Sequence, residues 1–218
     1  MMDDYSIRTE IIETCKWMRR EKLVYGTWGN VSVRLDDGNI LITPSKIDYD
    51  EMKPEDLVVL SPEGAVVSGF RLSTSERELH LGIMRKRKDI GAIIHTHSTH
   101  ALAAACRDRG IPAFSDEICQ LIGGPIPLTS RYVTSSKHVE LGQVATDSVT
   151  NANALLIRNH GPMCFGRTLA EARVCCQILE KSCEIYMHLL MASGGISRIP
   201  EEDIAGGRDY FLNSYGKS

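Results

Sequence analysis

Several common signatures are missing from this 218-residue chain. It has no CxxC pair, no GxGxxG and no Walker phosphate loop, so nucleotide binding by the usual glycine-rich routes is unsupported. No apolar run approaches the roughly 18 residues a membrane span needs. The opening Met1-Met2-Asp3-Asp4 is acidic where a secretory leader would be basic and then apolar. A net charge of −3 argues against a dedicated nucleic-acid binder. The seven cysteines are odd in number, and Cys175, Cys176 and Cys183 fall in one helical stretch. They read as small apolar packing residues, and the expected location is a reducing cytoplasm. Repeats, low-complexity tracts and an internal linker are also absent, which predicts one α/β domain over residues 1–218.

What is present is a series of short periodic segments. Ile7, Ile11, Cys15 and Met18 give residues 5–23 a helical spacing, with Gly26 as a stop. Residues 31–35 and 40–42 flank Asp37-Gly38, a hairpin signal. Residues 57–60 and 65–67 flank Pro62-Glu63-Gly64 and predict a second hairpin. Helices are expected over 74–88 and over 99–109, before Gly110. Thr168 and Glu171 have capping-box spacing and open a long helix to about 192, with Ala172, Cys175, Leu179, Tyr186 and Leu190 on one stripe.

The chemistry lies in the histidines. Residues 91–97 read as a buried strand ending in His95-Thr96-His97. Alternation puts both imidazoles on one face, about 7 Å apart along the chain, close enough to converge on one ion. Residues 154–157 form another apolar run, and His160 follows three residues later in Asn159-His160-Gly161. Three neutral nitrogens with one open position describe a catalytic rather than a structural zinc site.

Taken in order, Gly26-Thr27-Trp28-Gly29-Asn30-Val31-Ser32, Thr43-Pro44-Ser45-Lys46, Ser73-Thr74-Ser75-Glu76, His95-Thr96-His97 and Asn159-His160-Gly161 resemble the zinc-dependent class II aldolase/adducin family. The likeness extends from the first helix to Tyr215-Gly216 and is greatest to the sugar-phosphate aldolases of the L-fuculose-1-phosphate type. It implies a three-layer sandwich with a central, largely antiparallel sheet flanked by helices. It also implies Zn²⁺ on His95, His97 and His160, with Glu76 as fourth ligand at rest and proton carrier during reaction. Asn30, Ser45, Thr74 and Ser75 match the phosphate-contacting positions. Lys46 stands where glycine is common, and could add a cation to the phosphate or narrow the pocket. Tyr215 matches a C-terminal tyrosine that reaches an active site on a neighbouring subunit and could donate a proton; the family's aldolases are homotetramers.

Competing assignments remain at this level. Ser73-x-x-Glu76 is also a capping box, and His80, one turn after Glu76, is a second candidate ligand. Glu117 is an alternative acid/base in a loop lacking the tyrosine of the fuculose-phosphate enzymes, and Ser135 and Leu212 stand near the positions of their apolar wall. The activity the resemblance implies is a metal-dependent lyase that cleaves a small-molecule ketose 1-phosphate, nominally L-fuculose 1-phosphate, to dihydroxyacetone phosphate and a small aldehyde. Alternatives are a 5-deoxyribulose- or 5-methylthioribulose-1-phosphate aldolase, a pentulose-5-phosphate 4-epimerase and, least favoured, a non-catalytic adducin-like module. Neither nucleic acid nor membrane is expected as a partner.

Overall fold

Seven strands are found in the computed structural model, which describes residues 4–216. They are β1 (Asn30–Arg34), β2 (Ile40–Ile42), β3 (Val58–Leu60), β4 (Val66–Ser68), β5 (Ala92–His95), β6 (Ala154–Ile157) and β7 (Gly161–Gly166). They form one sheet in the order β4-β3-β2-β1-β5-β7-β6, and every neighbouring pair is antiparallel. Tight turns account for the hairpins. Gly38 takes φ 86° while the Asp37 carboxylate accepts from the Asn39 N–H at 2.9 Å.

The helices are α1 (Asp4–Arg20), α2 (Arg77–Lys86), α3 (Thr99–Ala105), α4 (His138–Ser148), α5 (Leu169–Met191) and α6 (Glu201–Asn213). Strand alternation sends side chains to two separate cores. Val31, Ile94, Leu156 and Cys164 pack with Ile11 and Met18 of α1, Ala101 and Ala104 of α3, and Leu179 and Cys183 of α5. Ile42, Val58, Ile93, Leu155 and Phe165 pack with Leu79 and Ile83 of α2 and with Leu141 and Val144 of α4. The result is the expected three-layer sandwich, each fully buried aliphatic side chain stabilising it by about 1.5–3 kcal/mol.

Several boundaries differ from the periodicity. Helix α1 stops at Arg20 because Lys22 adopts φ 58° and the Leu23 N–H folds back to the Met18 carbonyl at 2.8 Å, well before Gly26. Helices α2 and α3 are shorter than expected, and Leu190 on α5 is 38% exposed. Strand β5 ends at His95, so His97 lies beyond the sheet. Helix α4 escaped the sequence reading because Gly142 interrupts its apolar pattern. A Cβ there would stand 2.8 Å from Glu78 Cβ, so the glycine lets α2 and α4 approach. Thr168 caps α5 by accepting from the Glu171 N–H, but the Glu171 carboxylate pairs with Arg167, so the box is only half formed. All seven cysteines are free thiols. No helix among the described residues is long and apolar enough to cross a membrane.

Candidate metal centre

Four side chains from three parts of the chain meet at one end of the sheet. His95 closes β5, and its Nδ1 donates to the Pro162 carbonyl at 2.8 Å, which leaves Nε2 bare toward the interior of the cluster. His97 follows two residues later, anchored where its backbone N–H meets the Leu23 carbonyl at 3.1 Å. His160 sits on the β6–β7 turn. There Asn159 takes φ 56°, and a Cβ on Gly161 would be 2.4 Å from the Thr96 carbonyl oxygen. That crowding is the physical reason for Asn-His-Gly at this turn. Glu76 completes the set just ahead of α2. One donor atom from each of Glu76, His95, His97 and His160 lies within 4.8 Å of the other three.

The electrostatics suit a cation. Burial, followed by the neighbouring imidazoles, lowers His97 to about 3, and burial likewise lowers His95. Both therefore stay uncharged at neutral pH, each with one ring nitrogen bare. Their Nε2 atoms stand 3.0 Å apart. Burial would raise the Glu76 carboxyl, but His95, His160 and Asn30 outweigh it and hold the group well below the usual carboxylate range. Its Oε1 lies 2.9 Å from His160 Nε2, and its Oε2 3.4 Å from His95 Nε2. Asn30 Nδ2 donates to Oε2 at 2.7 Å. Three imidazoles and one carboxylate form an N₃O donor set that fits a divalent metal ion.

The capping-box reading of Glu76 does not hold. Its side chain makes no cap bond to α2, and Thr74 Oγ1 instead accepts from the Glu76 N–H at 3.3 Å. His80 is not a ligand either. It is fully buried, and its two nitrogens contact Ser32 and Asn30.

The centre opens into a cleft of about 830 Å³ that Asn30, Ser45, Lys46, Thr74, Ser75, Glu76, His97 and His160 share. Two loops of this cleft are tied together by the Thr74 N–H to the Thr43 carbonyl at 3.0 Å and the Ser45 N–H to the Leu72 carbonyl at 2.9 Å. Lys46 adopts φ 60°, the left-handed region in which glycine is unstrained, which explains why glycine serves well at this position. A larger cleft of about 1220 Å³ near Ile111, Tyr186 and Ile204 contains none of the four donors. The chemistry places the site in the smaller one.

Ser135 lines the same cleft, as do Trp28, Tyr132 and His138, to which the sequence assigned no role. Trp28 had a signal, since it stands inside the Gly-Thr-Trp-Gly-Asn motif. His138 had none. Leu212 is not among the lining residues, and Glu117 pairs with Lys181 at 2.8 Å. Tyr215 packs on Tyr210 and Phe211 rather than lining its own chain's cleft.

An antiparallel three-layer sandwich with a His₃Glu cluster at one sheet end has the layout of a metal-dependent enzyme. The profile of the Class II Aldolase and Adducin N-terminal domain matches residues 9–187. The 5-deoxy-D-ribulose 1-phosphate aldolase of Bacillus thuringiensis serovar kurstaki is 33% identical over 198 residues, covering 90% of this chain and 91% of that protein. The L-fuculose phosphate aldolase of Escherichia coli K12 is 31% identical over 204 residues, covering 94% and 93%. A solved L-fuculose 1-phosphate aldolase superposes with a TM-score of 0.85 at 31% identity, covering 97% of this chain and 98% of its own. The chain therefore belongs to the class II aldolase and adducin family. Within it, the protein is a metal-binding lyase of the class II aldolase kind.

Proposed function

We propose that the enzyme cleaves a ketose 1-phosphate between C3 and C4, giving dihydroxyacetone phosphate and a small aldehyde, with Zn²⁺ as its metal. The observation that carries this reading is the ionised Glu76 facing three imidazoles inside the cleft that also holds the hydroxyls of Ser45, Thr74 and Ser75. When bound, a divalent cation supplies Lewis-acid stabilisation to the negative charge that develops beside the substrate carbonyl. His95, His97 and His160 would hold it, with Glu76 at the fourth position before substrate arrives. Asn30, Ser45, Thr74 and Ser75 bind the phosphate through hydroxyl and amide groups, and Lys46 adds a positive charge at the same wall. In the condensation direction, Glu76 takes a proton from the carbon next to the carbonyl, and cleavage returns it. In condensation Tyr215 of the partner subunit gives a proton to the aldehyde oxygen, and in cleavage it takes that proton back as the C3–C4 bond breaks. Support for such an arrangement, within a homotetramer, comes from the 61% exposure of Tyr215 and from exposed Trp28 and Tyr132 on the rim of the cleft.

L-Fuculose 1-phosphate is the nominal substrate, and 5-deoxyribulose 1-phosphate is a specific second reading. Relatives named for each are similarly identical to this chain. Both sugars end in a methyl group, so both would release a methyl-bearing aldehyde. A panel of ketose 1-phosphates, including the 5-methylthio pentulose, coupled to detection of dihydroxyacetone phosphate and ranked by kcat/KM, decides between them. Interconversion of pentulose 5-phosphates without any free triose phosphate would contradict the aldolase reading and favour an epimerase.

A further inference from the structure

Behind Glu76 a line of buried polar groups runs from Asn30 to His80 and Ser32, two residues to which the reaction gives no role. Ser32 Oγ lies 2.7 Å from His80 Nδ1, His80 Nε2 lies 2.5 Å from Asn30 Oδ1, and Asn30 Nδ2 lies 2.7 Å from Glu76 Oε2. Ser32 and His80 are wholly inaccessible and Asn30 is 4% exposed. Their neighbours on this side of the sheet include Ile42, Leu79 and Ile83, so nothing in the packing requires a polar chain here. A buried polar group is costly unless it is satisfied, and each of these is satisfied by the next.

The direction of every bond follows from the carboxylate. An ionised Glu76 can only accept, so Asn30 must present Nδ2 to it. Asn30 Oδ1 then faces His80, and His80 must carry its proton on Nε2. Nδ1 is left bare and accepts from the Ser32 hydroxyl. One tautomer and one amide orientation satisfy all three contacts.

We propose that His80, backed by Ser32, is a positioning residue that locks the Asn30 amide so that Nδ2 points at Glu76 and fixes where that carboxylate stands. The proposal rests on the reading of Glu76 as ligand and proton carrier. Its structural half, however, holds for the metal-free chain whether or not any sugar phosphate is cleaved.

The first test is nitrogen-resolved NMR of the histidine side chains in the unaltered, metal-free protein. His80 should show a protonated Nε2 and a bare Nδ1; the opposite tautomer would overturn the proposal without touching the assigned reaction. The second test compares His80→Gln, whose amide nitrogen can replace the Nε2 donor, with His80→Asn, whose amide reaches only the Nδ1 position. We expect His80→Asn to lose about 10- to 100-fold in both zinc affinity and kcat, the usual cost of removing a group that orients a ligand. KM should change little, and His80→Gln should regain most of the loss. A folded His80→Asn with unchanged zinc affinity and kcat would refute the idea. Equal impairment in the two variants would refute it as well, by showing that only volume matters.

Discussion

The two faces of β1 differ in a way that organises the whole molecule. On one, Val31 and Val33 pack into the core beneath α1 and α5. On the other, Asn30 and Ser32 are just as buried, yet they bond to Glu76 and His80. A strand that reads polar, apolar, polar, apolar would ordinarily turn its polar side to water. Here that side is covered by α2, and the polar residues bond to the Glu76 carboxylate and to His80. One face contributes stability through burial, and the other gives up apolar packing to hold a carboxylate in place.

Breaking the polar face should have the largest effect on rate. Glu76→Gln preserves shape but cannot take a proton, so kcat should fall about 10²- to 10⁴-fold while circular dichroism stays near wild type and saturating zinc still fills the site through the three histidines. Near-normal turnover in this variant would remove Glu76 from the proton-transfer role.

The apolar face should respond in stability instead. Leu156 is fully buried in the core with α3 and α5, and Leu156→Ala should cost about 2–5 kcal/mol in denaturant unfolding. Turnover per folded molecule should not change. A selective loss of kcat there would erase the distinction between the faces.

Acid should also strain the polar face selectively. Burial first, and then His95, holds His80 down at about 3 in the fold, against an ordinary value near 6.5. The unfolded chain therefore binds a proton that the fold refuses, and stability falls as pH drops from about 6.5 toward 3. The contribution is up to about 1.4 kcal/mol per pH unit. Unfolding of the metal-free protein across this window should be less steeply pH-dependent in His80→Leu, by about one proton.

How much of this was legible beforehand follows the same division. The hairpins, the long α5 and the donor set His95, His97, His160 and Glu76 all had local signals in turn residues, periodicity or motif order. The fold supplied what no local pattern carries. His97 reaches the cluster from beyond the end of β5 rather than along it. Glu76 is ahead of α2 but leaves its capping to Thr74. His80, with the spacing of a ligand, instead lies behind Asn30, because β1 and α2 meet only through tertiary packing. Gly142 hid α4 by doing its work against Glu78, a residue 64 positions away in sequence.

The smallest expected effect concerns Lys46, held at φ 60° in the cleft. Lys46→Gly should relieve about 1 kcal/mol of backbone strain and raise thermal stability slightly. If the ammonium meets the phosphate, KM should rise while kcat holds; an unchanged KM would make the lysine a bystander.

Activity should depend on a metal ion held by Glu76, His95, His97 and His160. Elemental analysis of protein purified without added metal, paired with an assay for dihydroxyacetone phosphate release before and after chelation, tests it most directly. We expect about one zinc per chain, activity lost as the metal is stripped and regained when zinc is returned, and neither metal nor activity in a His95→Ala, His97→Ala double variant. Full activity in protein shown to be metal-free would contradict it.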